Sequence, residues 1–158
     1  MATLKALLLD VGCADAETYI QSGNAVFTNA ASSDALNKRI GDAISANMGR
    51  PIAVTMRTRD EWNAIVEKQP FPAHAVSPTS LFVTFLSQSP SASSLAPLMG
   101  KSWDPDAFVV SNTEIFALHP RGLSQSALAV ALGKLRVEGT VTTRNWNTVC
   151  RLHAMVNS

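Results

Sequence analysis

Two short segments carry most of the side chains that could recognise a ligand. The first runs from Tyr19 to Asn24 (YIQSGN) and the second from Thr142 to Thr148 (TTRNWNT). In the first, Gln21 and Ser22 offer amide and hydroxyl groups, and the neighbouring glycine allows another molecule to approach the backbone closely. This chemistry predicts a recognition loop. The alternative is a closed turn in which Asn24 hydrogen-bonds its own backbone.

The second segment combines a cation, an aromatic ring and several amide and hydroxyl groups where a strand passes into a helix. The first N–H groups of a helix have no partner within the helix and attract anions. Arg144 can hold a phosphate or carboxylate through two parallel hydrogen bonds, and Trp146 can stack on a base. The alternative is a structural corner, in which Asn145 or Thr148 caps the helix. In that case Trp146 lies in the core and Arg144 pairs with an acidic residue.

We expect both segments to line one cleft that receives a small anionic or nucleotide-like ligand. The residues assigned to this candidate site are Tyr19, Gln21, Ser22, Asn24, Thr143, Arg144, Asn145, Trp146 and Asn147. One alternative is a structural or self-association protein in which both segments are internal. Another is an RNA binder, because residues 121–158 contain five basic residues and one acidic residue, a bias that can follow phosphates. The basic-aromatic strand motif of RNA-recognition domains is missing from the sequence.

The sequence contains no recognisable catalytic or metal-binding pattern. No known nucleophile motif includes its cysteines or histidines, which are Cys13, Cys150, His74, His119 and His153. Asp104 and Asp106 flank a proline, which favours turn-forming residues over metal ligands. We therefore predict no catalytic residue, metal or cofactor, and leave open whether the protein is an enzyme.

Composition limits the classes of protein to which the chain can belong. Of its 158 residues, 46% are hydrophobic and 16% are charged, and the formal net charge is +1. This balance excludes an intrinsically disordered chain. No apolar run approaches the roughly 20 residues of a membrane-spanning helix. The first residues read poorly as a signal peptide, so a cytoplasmic location and no membrane partner are expected.

Apolar periodicity and turn residues predict a similar order of elements in the two halves of the chain. The first half should contain a helix ended by Gly12, a hairpin at 17–28, a helix beginning at Ser33, a strand at 52–56 and a helix with a Thr58–Glu61 capping box. The second half should contain a central strand at 81–86, a short helix at 94–99, strands at 107–110 and 114–119, a helix capped by Ser124, a strand at 141–143 and a last helix.

The second half therefore reads βαββαβ and the first half αββαβ, each followed by a helix. We predict an α+β fold of two ferredoxin-like (βαββαβ) halves in tandem, at residues 1–72 and 80–158. The two halves match if the first lacks its opening strand.

The segments TYIQSGNAVF (18–27) and TTRNWNTV (142–149) resemble the two signature segments of a bacterial family of unknown function, DUF1697. The PFP near residue 71, VTFL at 83–86 and the turn at Leu118–Gly122 are also similar to that family. The resemblance implies an opening strand and a glycine-rich turn before the first helix, whereas this sequence starts at that helix. Relatives often have a lysine where this chain has Ala127, which puts an anion site at that turn in doubt.

A missing opening strand has an energetic consequence. Each buried N–H or C=O group left without a partner costs about 1–3 kcal/mol. We therefore expect a rearranged N-terminal half, a gap filled by another molecule, or a misassigned start of the sequence. A homo-oligomer formed through the incomplete first sheet is one such arrangement.

Overall fold

The protein, described at residues 2–30 and 33–158 of a computed structural model, combines α and β elements in two separate sheets. The chain divides into two compact units. The first unit contains Met1–Trp62 and Leu152–Ser158, and the second contains Asn63–Arg151. The α+β class is confirmed, whereas the limits of 1–72 and 80–158 for the two halves remain a prediction.

The first unit begins with a helix and a hairpin. Its elements are α1 (Ala2–Asp10), β1 (Ala14–Tyr19), β2 (Asn24–Thr28) and α2 (Ser33–Met48). Helix α1 ends where the sequence predicted, because Gly12 has a φ of +88°. Cys13 N–H then donates to Leu8 O and Gly12 N–H to Leu9 O, at 2.9 Å each, which is the double closure typical of a glycine-terminated helix. The predicted cap by the Ser33 side chain lies outside the described residues.

Strands β1 and β2 pair antiparallel and form a two-stranded sheet. The hairpin predicted at 17–28 is therefore confirmed, and it extends back to Ala14 through an irregularity in register between Ala14 and Glu17. One face of the hairpin joins both helices in a cluster of buried residues, which are Leu8, Cys13, Ala16, Leu36 and Ile40. This cluster buries the apolar faces of α1 and α2.

The strand predicted at 52–56 does not form. Residues 51–58 have no strand assignment, although Val54 and Met56 still pack on the buried cluster. Alternation therefore placed the apolar side chains correctly, but a strand also requires a neighbouring strand for its backbone groups. In the described part of the first unit, no strand pairs with this segment.

Helix α3 (Arg59–Glu67) begins at the predicted capping box. Glu61 Oε2 accepts from Thr58 N–H at 2.7 Å, and Thr58 Oγ1 accepts from Glu61 N–H at 3.3 Å. Two N–H groups at the start of the helix are thus satisfied reciprocally.

The second unit contains a four-stranded antiparallel sheet in the order β4-β5-β3-β6. Its elements are β3 (Leu81–Leu86), α4 (Ala92–Leu95), β4 (Ala107–Ser111), β5 (Glu114–Leu118), α5 (Ala127–Gly133), β6 (Val141–Asn145) and α6 (Trp146–Val156). Strand β3 lies between β5 and β6, and five of its six residues are buried. The prediction of a central strand that is apolar on both faces is confirmed.

Helix α5 is capped by Ser126, so the predicted cap at Ser124 is wrong. Ser126 Oγ accepts from Ala129 N–H at 2.7 Å, whereas Ser124 lies one turn earlier in a 3₁₀ turn at Leu123–Gln125. Both serines satisfy the sequence pattern for a cap. Because a 3₁₀ turn at 123–125 precedes α5, Ser126 and not Ser124 stands directly before the first residue of the helix. Helix α5 packs over the sheet with a second cluster, in which Leu98, Ala117 and Leu128 are buried.

Among the described residues, no helix is both long enough and apolar enough to span a membrane.

Candidate functional site

The predicted recognition loop is a closed turn at the tip of the β1–β2 hairpin. Asn24 is buried, and its Nδ2 donates to Tyr19 O at 3.1 Å and to Ser22 Oγ at 2.9 Å. Gly23 has a φ of +77°, which glycine adopts without steric cost. The contacts match the alternative in which Asn24 holds its own turn. Gln21 and Ser22 remain exposed to solvent.

The Thr142–Thr148 segment forms the junction between β6 and α6. Thr143 Oγ1 lies 2.8 Å from Thr84 Oγ1 on the neighbouring strand β3. Arg144 is half-buried, and its Nη1 donates to Thr142 Oγ1 at 2.6 Å and to Thr143 O at 2.8 Å. Burial lowers the pKa of the guanidinium from its ordinary value. These two hydrogen bonds connect the Arg144 side chain to its own strand.

Asn145 ends β6 and caps α6. Its Oδ1 accepts from Thr148 N–H at 2.9 Å, which satisfies one of the helix's unpaired donors. Thr148 itself is buried. This role is the one that the structural alternative assigned to Asn145.

The first turn of α6 forms one wall of an open groove with a volume of about 370 Å³. The described residues that line this α6 groove are Gln69, Ala73, Val76, Pro78, Trp146, Asn147 and Cys150. Trp146 and Cys150 are one helical turn apart and so lie on the same face of α6. Drug-sized ligands occupy pockets of roughly 300–1,000 Å³, so this groove is large enough for a small molecule.

Three polar groups at the α6 groove make no hydrogen bond to any described part of the protein. They are the Trp146 indole N–H, the Asn147 amide and the Gln69 Nε2 group. The other end of the Gln69 amide is fixed, because Oε1 accepts from Phe71 N–H. Trp146 is half-buried and Asn147 is exposed. A groove with an aromatic ring, apolar residues and available donors can hold a planar ligand by stacking and hydrogen bonding.

Cys150 brings a nucleophilic side chain to the groove. The thiol is free, the residue is exposed, and partial burial raises its pKa from the ordinary value. Because the thiolate is the reactive form, this environment makes Cys150 less reactive than an ordinary thiol. Among the described side chains, none that lines the groove is charged.

Sequence comparison places the chain in a family. The profile of DUF1697, a protein of unknown function, matches residues 1–116. The chain belongs to the DUF1697 family. The matched range contains the Tyr19–Asn24 turn, and the Thr142–Thr148 segment lies beyond it. The expectation from the two signature segments is confirmed at the level of the family.

The fold of this DUF1697 protein is also found in a solved structure. It is similar to "conserved bacterial protein SP0830 from Streptococcus pneumoniae", with a TM-score of 0.81 and 20% sequence identity. The similarity covers 100% of this chain and 89% of that chain. No curated protein matches the sequence significantly. At this identity the likeness extends to the fold alone.

A second group of polar side chains, none of which is among the groove residues, lies at the start of α5. Ser126 Oγ donates to Asp106 Oδ2 at 2.7 Å and lies 2.8 Å from His119 Nδ1. His119 is 1% exposed and Ser126 is 3% exposed. Burial lowers the pKa of His119, and the neighbouring Asp106 carboxylate opposes that shift. Ser126 also caps α5, so its hydroxyl is engaged on all sides and this group is structural rather than nucleophilic.

The DUF1697 chain has no cluster of three or more metal-ligating side chains at residues 2–30 and 33–158.

The structure thus distributes the predicted site residues over three places. Tyr19, Gln21, Ser22 and Asn24 belong to the hairpin tip of the first unit. Thr143, Arg144 and Asn145 are tied into β6 and the start of α6, and Trp146 and Asn147 line the α6 groove. That the two segments share one cleft remains a prediction.

Sequence reasoning missed the residues that complete the α6 groove. Cys150 could have been found, since it lies four positions after Trp146 on a predicted helix. Gln69, Ala73, Val76 and Pro78 belong to a loop that was predicted only as a boundary. Their proximity to α6 depends on contacts between distant parts of the chain, which leave no local pattern.

Proposed function

We propose that the α6 groove binds a small, nucleotide-like ligand whose planar ring stacks on Trp146. The observation that carries the proposal is the set of three polar groups at this groove that have no hydrogen-bond partner in the described chain. A half-buried indole beside amide groups suits a flat ring with polar edges. Stacking of a base on an aromatic side chain contributes about 1–3 kcal/mol.

The anionic part of such a ligand would lie near the first turn of α6. The helix is 11 residues long, and its N-terminus carries a partial positive charge that favours a phosphate. Arg144 has a smaller part in this proposal than the sequence suggested, because its guanidinium donates to Thr142 and Thr143.

Calorimetric titration with the four nucleoside 5′-monophosphates and the matching nucleosides tests this proposal. We expect saturable binding, at least tenfold weaker in Trp146→Ala and weakened in Asn147→Ala. Arg151→Gln is the matched control, because Arg151 is exposed on the same helix and does not line the groove. Absence of binding, or an equal loss in Arg151→Gln, would show that the groove is not a specific site.

We also propose that the two units follow one ferredoxin-like pattern, with the opening strand missing from the first. The order α1, β1, β2, α2 and the extended segment at 52–56 corresponds to α4, β4, β5, α5 and β6. In the second unit β6 pairs with β3 alone. Because the first unit would lack a counterpart of β3, the segment at 52–56 would have no strand to pair with.

A further inference from the structure

The side-chain amide of Gln69 is held in one orientation by the backbone that follows it. Its Oε1 accepts a hydrogen bond from Phe71 N–H. Because a backbone N–H group can only donate, the oxygen must be the end of the amide that faces Phe71, and a flipped amide would bring two donors together. The Nε2 group is therefore the end that remains for another partner.

This Nε2 donor is not used by the protein itself. It has no hydrogen-bond partner in the described chain, although Gln69 is half-buried and lines the α6 groove. The loop residues that line the groove with it, Ala73, Val76 and Pro78, have no polar side-chain atoms. A ligand in the groove would thus meet the Gln69 amide at its donor end.

An amide in this state distinguishes between the edges of two purine rings. Glutamine recognises adenine with both ends of its amide, since the oxygen accepts from the 6-amino group and the nitrogen donates to N7. That pair of bonds is lost when the oxygen is turned toward Phe71. A 6-oxopurine instead presents two acceptors, O6 and N7, on the same edge. With adenine, the amide NH₂ would face an amino group, and a donor would be left without an acceptor.

We propose that Gln69 makes the α6 groove selective for nucleotides whose ring carries a carbonyl oxygen, as in the 6-oxopurines, over adenine nucleotides. The inference rests on the proposed function, because it requires a ring that stacks on Trp146. The indole N–H lies in the plane of the indole, so it points past a ring stacked on the indole face. Asn147 is exposed and its amide has no partner in the described chain, so it can turn either end to a ligand. Gln69 is therefore the residue that decides between an oxo and an amino group.

Calorimetric titration with inosine 5′-monophosphate and adenosine 5′-monophosphate tests this selectivity. The two nucleotides share the sugar and the phosphate and differ in the ring, where position 6 carries an oxygen in the first and an amino group in the second. The ratio of their dissociation constants therefore reports the ring edge. We expect the inosine nucleotide to bind at least about fivefold more tightly, because an unmade hydrogen bond in a partly buried site lowers affinity by at least that factor.

Gln69→Glu is the decisive variant. One carboxylate oxygen can still accept from Phe71 N–H, and the other presents an acceptor where Nε2 presents donors. The preference should therefore invert, with the adenosine nucleotide bound more tightly. Gln125→Glu is the matched control, because it adds the same charge at an exposed residue outside the groove and should leave the ratio unchanged. Trp146→Phe keeps an aromatic face and should weaken both nucleotides with little change in their ratio.

The outcomes separate the role of Gln69 from the proposed function. Equal affinity for the two nucleotides, or a ratio that Gln69→Glu leaves unchanged, would overturn the selectivity and leave the groove as a nucleotide site. An inversion in Gln125→Glu as well would also overturn it, because added charge and not the Gln69 amide would then set the preference. Absence of binding of both nucleotides would overturn the selectivity and the proposed function together.

Discussion

At the residue scale, polar side chains in this protein serve mainly to hold its turns and helix starts. Asn24 closes the hairpin tip, Asn145 caps α6, and Ser126 joins a cap to a buried histidine and carboxylate. Trp146 and Asn147 differ from these residues, because their polar groups have no partner in the described chain. This contrast distinguishes residues that stabilise turns and helix starts from residues whose polar groups are available to a ligand.

Ser126→Ala should destabilise the protein by about 2–4 kcal/mol. The change removes the cap of α5 and leaves His119 and Asp106 buried without their shared partner. Urea unfolding measures the effect. Ser124→Ala is the control, since Ser124 is exposed in the preceding turn, and a loss as large in that variant would mean that Ser126 has no special role.

Stability should fall as the pH decreases below about 6.5. His119 has a lowered pKa in the folded state, with burial as the main cause, so the unfolded chain takes up a proton at a higher pH than the folded one. The free energy of unfolding then decreases as the pH falls from 6.5, the ordinary value, toward the lowered pKa.

Urea unfolding between about pH 7 and pH 5.5 checks this slope. The slope should be smaller in His119→Gln and unchanged in His153→Gln. An identical pH dependence in His119→Gln would rule out His119 as its source.

At the element scale, the described sheets of the two units differ in size, with two strands in the first unit and four in the second. The second unit has the central strand that the sequence predicted, in a sheet of four strands. In the first unit, the alternation at 52–56 correctly predicted which side chains face the buried cluster. The prediction of a strand was wrong, because the backbone of this segment pairs with no described strand. A local pattern reports which face of a segment is buried, but pairing depends on a neighbour elsewhere in the chain.

The same limit applies to the candidate site. The polar and aromatic content of Thr142–Thr148 pointed to Trp146 and Asn147, which line the α6 groove. That they bind a ligand stays a prediction. The same content did not identify Arg144 as tied to its own strand, because that depends on side-chain geometry. The opposite wall of the α6 groove comes from a loop some 70 residues away in the sequence, which periodicity cannot reveal.

The turn that leads into β6 depends on a glycine at position 139. A Cβ there would lie 2.1 Å from Ser87 Oγ, which accepts from Thr140 N–H at 2.8 Å. Gly139 also has a φ of +81°. Gly139→Ala should therefore cost more than the roughly 1–2 kcal/mol of a left-handed backbone alone.

Thermal unfolding compares this variant with Gly100→Ala. Gly100 has a φ of +70°, and nothing lies within 4 Å of its added Cβ. The loss of stability in this control therefore measures the backbone strain alone, without a steric clash. Equal losses in the two variants would show that Ser87 moves aside freely.

At the scale of the whole molecule, the two units should differ in local stability. Isolated two-stranded sheets are marginal in water, whereas a sheet of three or more strands with a covered face is stable. The amides of β1 and β2 should therefore exchange with solvent faster than those of β3 and β5. Hydrogen exchange of the free protein measures this difference. Equal protection of the two sheets would contradict the account of an incomplete first sheet.

The proposal that the α6 groove binds a ligand is tested most directly by nuclear magnetic resonance of the tryptophan indole N–H groups. The chain has three tryptophans, Trp62, Trp103 and Trp146, and Trp103 Nε1 donates to Leu98 O at 2.9 Å. During titration with a nucleoside monophosphate, the Trp146 signal should shift saturably while the Trp103 signal stays in place. A Trp146 signal that does not move with any of the four nucleotides would contradict the proposed function.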